Sequence, residues 1–166
     1  MPFVSIVMGS DSDREIMIEA SKILKKFDIS HEITITSAHR SPEKTDKFCK
    51  ELDTKGVLVV IAGAGSAAHL AGVIASKTSL PVIGVPISSS PLHGLDSLFS
   101  TVQMPSGVPV ATMALGKSGA KNAGIFAAQI LSLSNPKIKE QLRLYKEDLA
   151  KEVEEKDKEH KVNEDT

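Results

Sequence analysis

Five short runs rich in β-branched residues, 3–8, 31–36, 57–62, 82–85 and 110–114, recur along the chain, mostly closed by Gly, Ser or Pro. Stretches with helical periodicity lie between them. Over 13–27, Ile16, Ala20, Ile23, Leu24 and Phe27 fall on one face, and Ser41-Pro42 marks a second helix start, a cap residue followed by proline at the first helical position. Such alternation favours parallel pairing with right-handed crossovers. The sequence therefore predicts an α/β fold: a three-layer, doubly wound parallel sheet of about five strands that binds ligands beyond the carboxyl ends of its strands.

At 166 residues and 41% hydrophobic content, one domain can bury its own core without disulfides or a structural metal. The expected organisation is an α/β domain over 1–135, which holds every candidate catalytic residue, followed by a charged helix and tail over 136–166. In that extension Ile138, Leu142, Tyr145, Leu149 and Val153 form a narrow apolar stripe, suited to docking on the same domain or on a neighbouring subunit. Residues beyond Lys156 read as frayed or disordered. A formal net charge of -1 gives no global attraction to nucleic acid or an anionic membrane, so neither is an expected partner and an anionic ligand must be caught locally. Cys49, the only cysteine, shares a helical face with Thr45 and Leu52 and reads as a small buried apolar residue. Neither a signal-like segment nor a bilayer-length apolar run is present, so cytoplasmic residence is expected. With only 4% aromatic residues, the Ala- and Gly-rich stretches 63–75 and 118–131 must supply core density by close backbone approach, within or between subunits.

Every unusual cluster follows a predicted strand, at 9–13, 37–40, 63–69 and 86–91, so the fold gathers them on one rim. In Gly9-Ser10-Asp11-Ser12-Asp13, backbone N–H groups, the Ser10 and Ser12 hydroxyls and a helix start can cradle a phosphate, although the same residues are ordinary caps. A carboxylate accepts hydrogen bonds from ribose hydroxyls more readily than it grips phosphate, which assigns Ser10 to phosphate and Asp13 to ribose or phosphate-adjacent atoms. Ser37-Ala38-His39-Arg40 sets a group that titrates near neutrality beside a permanent cation: Arg40 can hold phosphate in bidentate fashion while His39 moves a proton. Gly63-Ala64-Gly65-Ser66-Ala67-Ala68-His69-Leu70 lacks both the Lys-Ser/Thr ending of a nucleoside triphosphate loop and the three-glycine dinucleotide fingerprint, so neither ATP nor NAD is expected. Its small residues let backbone approach a flat ligand or carboxylate, and they equally suit tight helix-on-sheet packing with His69 satisfied. His93 has no partner at metal-ligand spacing and no zinc pattern is present, so no metal is expected; His31 and His160 read as polar surface positions.

Taken together, these segments and Gly94-Leu95-Asp96-Ser97-Leu98 through Gln103-Met104-Pro105 resemble the class I N5-carboxyaminoimidazole ribonucleotide mutases in order and spacing. The resemblance runs over 3–131, through Gly107-Val108-Pro109-Val110-Ala111-Thr112 and Asn122-Ala123-Gly124, and leaves only the charged tail unmatched. It implies a flavodoxin-like homo-octamer with active sites between subunits, which isomerises N5-carboxyaminoimidazole ribonucleotide to 4-carboxy-5-aminoimidazole ribonucleotide in purine biosynthesis without ATP, metal or organic cofactor. By similarity, Ser10, Asp13 and Arg40 bind phosphate and ribose, Ser12 and Ser37 join them on the substrate, and His39 is the general acid and base. The 63–69 loop, with Gly65, Ser66 and His69, encloses the migrating carboxylate.

The chain departs from the usual family pattern at three places. Ser66 and Ala71 stand where Gly-Ala-Gly-Gly and His-Leu-Pro-Gly are usual, and His93 replaces the Asn of Asn-Gly-Leu-Asp. Ser66 adds a hydroxyl beside the carboxylate pocket, Ala71 removes a backbone restraint, and His93 is either a second titrating group or a simple loop substitution. Two other readings share the fold. A class II aminoimidazole ribonucleotide carboxylase would take free carbon dioxide, but the Gly94 to Pro105 segments favour class I. The other is a non-enzymatic nucleotide-binding or receiver module; a receiver would want an acidic pocket with a phosphorylatable Asp, and no Asp ends the third strand, where Ala62-Gly63-Ala64 stands.

Overall fold

The computed structural model describes residues 3–164, with side chains through residue 160. Five strands, β1 (Val4–Met8), β2 (His31–Ile35), β3 (Val59–Gly65), β4 (Val82–Ile87) and β5 (Ala111–Thr112), pair in parallel in the order β2-β1-β3-β4-β5. The helices are α1 (Arg14–Lys26), α2 (Pro42–Glu51), α3 (Leu70–Ala75), α4 (Leu95–Val102), α5 (Gly116–Ser132) and α6 (Pro136–Glu164). Strand residues alternate between two cores. Val4, Ile6, Met8, Val59 and Ile61 pack against α1, α5 and the start of α6, whereas Val7, Val60 and Ala62 pack against α2 and α3. Burying each Val, Ile or Met side chain among these contributes about 1.5–3 kcal/mol, far more than the exposed ion pairs of the outer helix faces. This is the three-layer, doubly wound arrangement that the strand and helix alternation predicts.

The Ala- and Gly-rich α5 owes its composition to close approach. Ala120, Ala123, Ala127 and Ala128 are fully buried, and a Cβ on Gly124 would lie 2.9 Å from the Ile23 side chain and 3.0 Å from the Ala20 carbonyl oxygen of α1. Cys49 is buried beside Phe48 and Leu52 as expected, and burial pushes its thiol pKa up, away from thiolate chemistry.

Strand and helix ends depart from expectation for local reasons. β4 runs through Pro86 instead of stopping at Val85. Along β4, Gly84 faces β5 and accepts the Met113 N–H at 2.8 Å; Pro86, two residues on, faces the same side beyond the end of β5, so its missing N–H breaks no ladder bond. β3 starts late because the Val57 N–H turns back to the Leu52 carbonyl at 3.1 Å, and it extends to Gly65 because β4 continues opposite it. The first helix is preceded by a separate 3-10 turn, Asp11–Asp13. α6 remains helical to Glu164 where fraying was expected after Lys156; the last two residues lie outside the described part. His31 is not a plain surface position: its ring bonds the Ser21 hydroxyl at 2.7 Å and the Ile29 carbonyl at 2.9 Å.

Candidate active site

Met8 is in register with Ile35 on one side and Gly63 on the other, so β1 and β2 finish at one level and β3 runs two residues further, to Gly65. The chain leaves β1 toward β2 on one side and β3 occupies the other, a topological switch point where the following loops diverge and leave a crevice. Backbone bonds tie the loops down: the Gly9 N–H donates to Gly63 O at 3.1 Å and the Thr36 N–H to Met8 O at 3.0 Å.

After β1, Ser10 caps the 3-10 turn. Its N–H donates to Asp13 Oδ2 at 3.1 Å, and the Ser10 and Ser12 hydroxyls lie 3.0 Å apart. The residues whose hydroxyls order the turn also border the crevice. Asp13 is buried; desolvation holds its carboxyl above the usual carboxylate range, reinforced by Asp11 and opposed by the Ser10 N–H and the Arg40 charge.

After β2, the Ser37 hydroxyl accepts the Arg40 N–H at 3.1 Å and the Ser41 hydroxyl accepts the Ser37 N–H at 3.0 Å, fixing a turn that presents His39 and Arg40 to solvent. After β3, the loop brings His69 to His39. The His39 Nε2 and His69 Nδ1 atoms lie 2.7 Å apart, with ring centroids at 4.8 Å and planes at 84°. That bond needs one N–H and one lone pair, so at least one of the two rings is neutral while it exists.

These loops line one cavity of about 430 Å³, within the range that receives small-molecule ligands. All nine sequence-predicted site residues border it: Ser10, Ser12, Asp13, Ser37, His39, Arg40, Gly65, Ser66 and His69. Ser89, from the loop after β4, borders it too and carried no predicted role. His93 does not line it: it sits in the left-handed region at φ 54°, just before Gly94 at φ 90°, and His, like Asn, is one of the side chains more often found there. Ala71 is buried in the first turn of α3. Among the described residues no His, Cys, Asp and Glu cluster could hold a metal ion, and no helix is long and apolar enough to cross a membrane.

A model of the AIR carboxylase family matches residues 3–152. The chain is 57% identical over 157 residues to the N5-carboxyaminoimidazole ribonucleotide mutase of Pyrococcus horikoshii, covering 95% of this chain and 88% of that protein. It is 56% identical over 156 residues to the Thermotoga maritima protein of the same name, covering 94% and 90%. The fold is similar to the crystal structure of Treponema denticola PurE, with a TM-score of 0.86 at 30% identity over 96% of this chain and 98% of that one.

Proposed function

The chain belongs to the AIR carboxylase family, and from that premise we infer that it is an isomerase converting N5-carboxyaminoimidazole ribonucleotide to 4-carboxy-5-aminoimidazole ribonucleotide in purine biosynthesis. The observation that carries the mechanism is the His39 to His69 hydrogen bond beside a cavity that Ser10, Ser12 and Ser37 also border. Ser10, Ser12, Ser37 and Arg40 take the phosphate, and Asp13 accepts from the ribose hydroxyls. This leaves the imidazole ring between the histidines and the loop of Gly65 and Ser66.

The substrate carboxylate is a carbamate. When His39 as imidazolium delivers a proton to the carbamate nitrogen, the N–C bond breaks, and carbon dioxide and the free amine result. The electron-rich C4 then attacks the trapped carbon dioxide, and neutral His39 removes the C4 proton to restore the aromatic ring. One proton is given and one taken, so the residue ends as it began. Neutral His69 holds the imidazolium by accepting a hydrogen bond from its Nε2–H, which leaves the Nδ1 proton for the substrate. Water must be kept from the gas between the two steps, yet His39, Arg40 and Ser66 are exposed in the single chain. A homo-octamer, with a second copy closing each site, fits that exposure. So does the apolar stripe of Leu92, Leu95, Phe99 and Val102 along α4 and the loop before it, all exposed. Cytoplasmic residence fits a phosphorylated substrate that does not cross a bilayer.

Conversion of freshly prepared N5-carboxyaminoimidazole ribonucleotide, with chelator present and ATP absent, tests the reading. Fast isomerisation is expected. Turnover only from aminoimidazole ribonucleotide and dissolved carbon dioxide would make the chain a carboxylase instead.

A further inference from the structure

Ser89 lies where the loop after β4 meets the loop after β3. Its hydroxyl oxygen is 3.3 Å from that of Ser66, and both residues border the cavity. The contact is closely packed: a Cβ on Gly65 would fall 1.9 Å from Ser89 Oγ and 3.0 Å from the Ile87 carbonyl oxygen, so Ser89 takes this place only because residue 65 has no side chain. Ser66 in turn adopts φ 53°, a left-handed conformation that L-residues with a Cβ enter at a cost and glycine enters freely. Ser66 therefore keeps a hydroxyl at the cavity wall where the backbone alone would favour glycine.

We propose that Ser89 is a positioning residue for the carboxylate-bearing edge of the substrate, acting through Ser66 as a paired hydroxyl site. This rests on the isomerase reading above and adds to it a residue to which that reading gives no role. Each hydroxyl carries one proton and two lone pairs. When one donates to the other, one O–H remains free, and a carboxylate oxygen facing the pair accepts it. Hydroxyls suit this step better than a cation would. The carboxylate loses its charge as it leaves as carbon dioxide, and a neutral donor loses less on that change than an ammonium or guanidinium, so the ground state is over-stabilised less than a cation would over-stabilise it.

The test measures kcat, KM and melting temperature for the full chain and for Ser89→Ala, Ser66→Ala, Ser66→Gly and the Ser66→Ala/Ser89→Ala pair, with binding of aminoimidazole ribonucleotide, which lacks the carboxylate, measured alongside. Ser89→Ala and Ser66→Ala are each expected to lower kcat/KM on the carbamate about ten-fold, and the double variant to be no worse than the poorer single one, because the hydroxyls act as a unit. Aminoimidazole ribonucleotide binding should stay within about two-fold. Ser66→Gly should melt higher, since its backbone is relieved, while turning over as slowly as Ser66→Ala; a purely structural Ser66 would not move stability and turnover in opposite directions. Unchanged kcat/KM in Ser89→Ala, or equal losses on both nucleotides, would overturn the proposal while leaving the isomerase reading intact. Absence of conversion by the unsubstituted chain would overturn both.

Discussion

At the scale of single residues, the consequences concern His39, Arg40 and Asp13. His39→Asn keeps a polar side chain in the turn that Ser37 and Ser41 hold, so substrate binding should persist while kcat falls on the order of 10²–10⁴-fold; single-turnover kinetics beside equilibrium binding would check it. Near-normal turnover would remove His39 from the chemistry. Arg40→Lys loses the planar fork and should raise KM before it touches kcat. Asp13 has a pH signature. Its carboxyl is held above the usual range chiefly by burial, so the native state binds its proton more tightly than the unfolded chain does. Its contribution to stability is therefore full below the ordinary carboxylate pKa and is lost as pH rises through the raised one. Asp13→Asn, which keeps an acceptor for the Ser10 N–H, should melt higher than the parent at pH 7 and converge with it in acid, with KM raised throughout; thermal melts across pH would show a constant offset if the carboxyl titrated normally.

Among the elements, α1 and α5 meet where Gly124 leaves no room for a side chain. Gly124→Val should destabilise the fold by about 1–3 kcal/mol in chemical denaturation, by overpacking against Ile23 and the Ala20 carbonyl. The five strands were legible because β-branched runs such as Val-Leu-Val-Val-Ile in the third mark buried parallel strands, whereas their ends were not, because Pro86 is acceptable only where β5 has already stopped and sequence does not show that neighbour. The convergence of 9–13, 37–40 and 63–69 followed from the rule that parallel strands deliver their loops to one rim. The 86–91 cluster was expected on the same rim, but Ser89 drew no role because a serine in the turn-rich stretch Ser88-Ser89-Ser90-Pro91 has no chemical mark of its own; only the empty space at Gly65 makes it distinctive. The His31 pairing with Ser21 was hidden in the same way, since it spans a helix and a strand.

Over the whole molecule, the exposed stripe on and before α4 and the open cavity belong to one question. Phe99→Glu places a charge in the middle of that stripe, at a side chain 58% exposed in the single chain. It should leave the fold intact by circular dichroism, shift the light-scattering mass toward the monomer and abolish most conversion; full activity in a monomer would refute sites completed between copies. α6 makes a separate statement about the ensemble. Its first turns are anchored through Ile138, Leu142 and Tyr145, the last edge-on to Phe27 at 5.5 Å, while Leu149 and Val153 lie exposed further along. A helix held at one end unzips from the other, one hydrogen bond at a time, with no cooperative barrier. Deuterium should therefore enter the amides beyond Leu149 far faster than those before Tyr145. A slow, uniform uptake along the entire helix at high protein concentration would be the isotopic footprint of a neighbour lying against it.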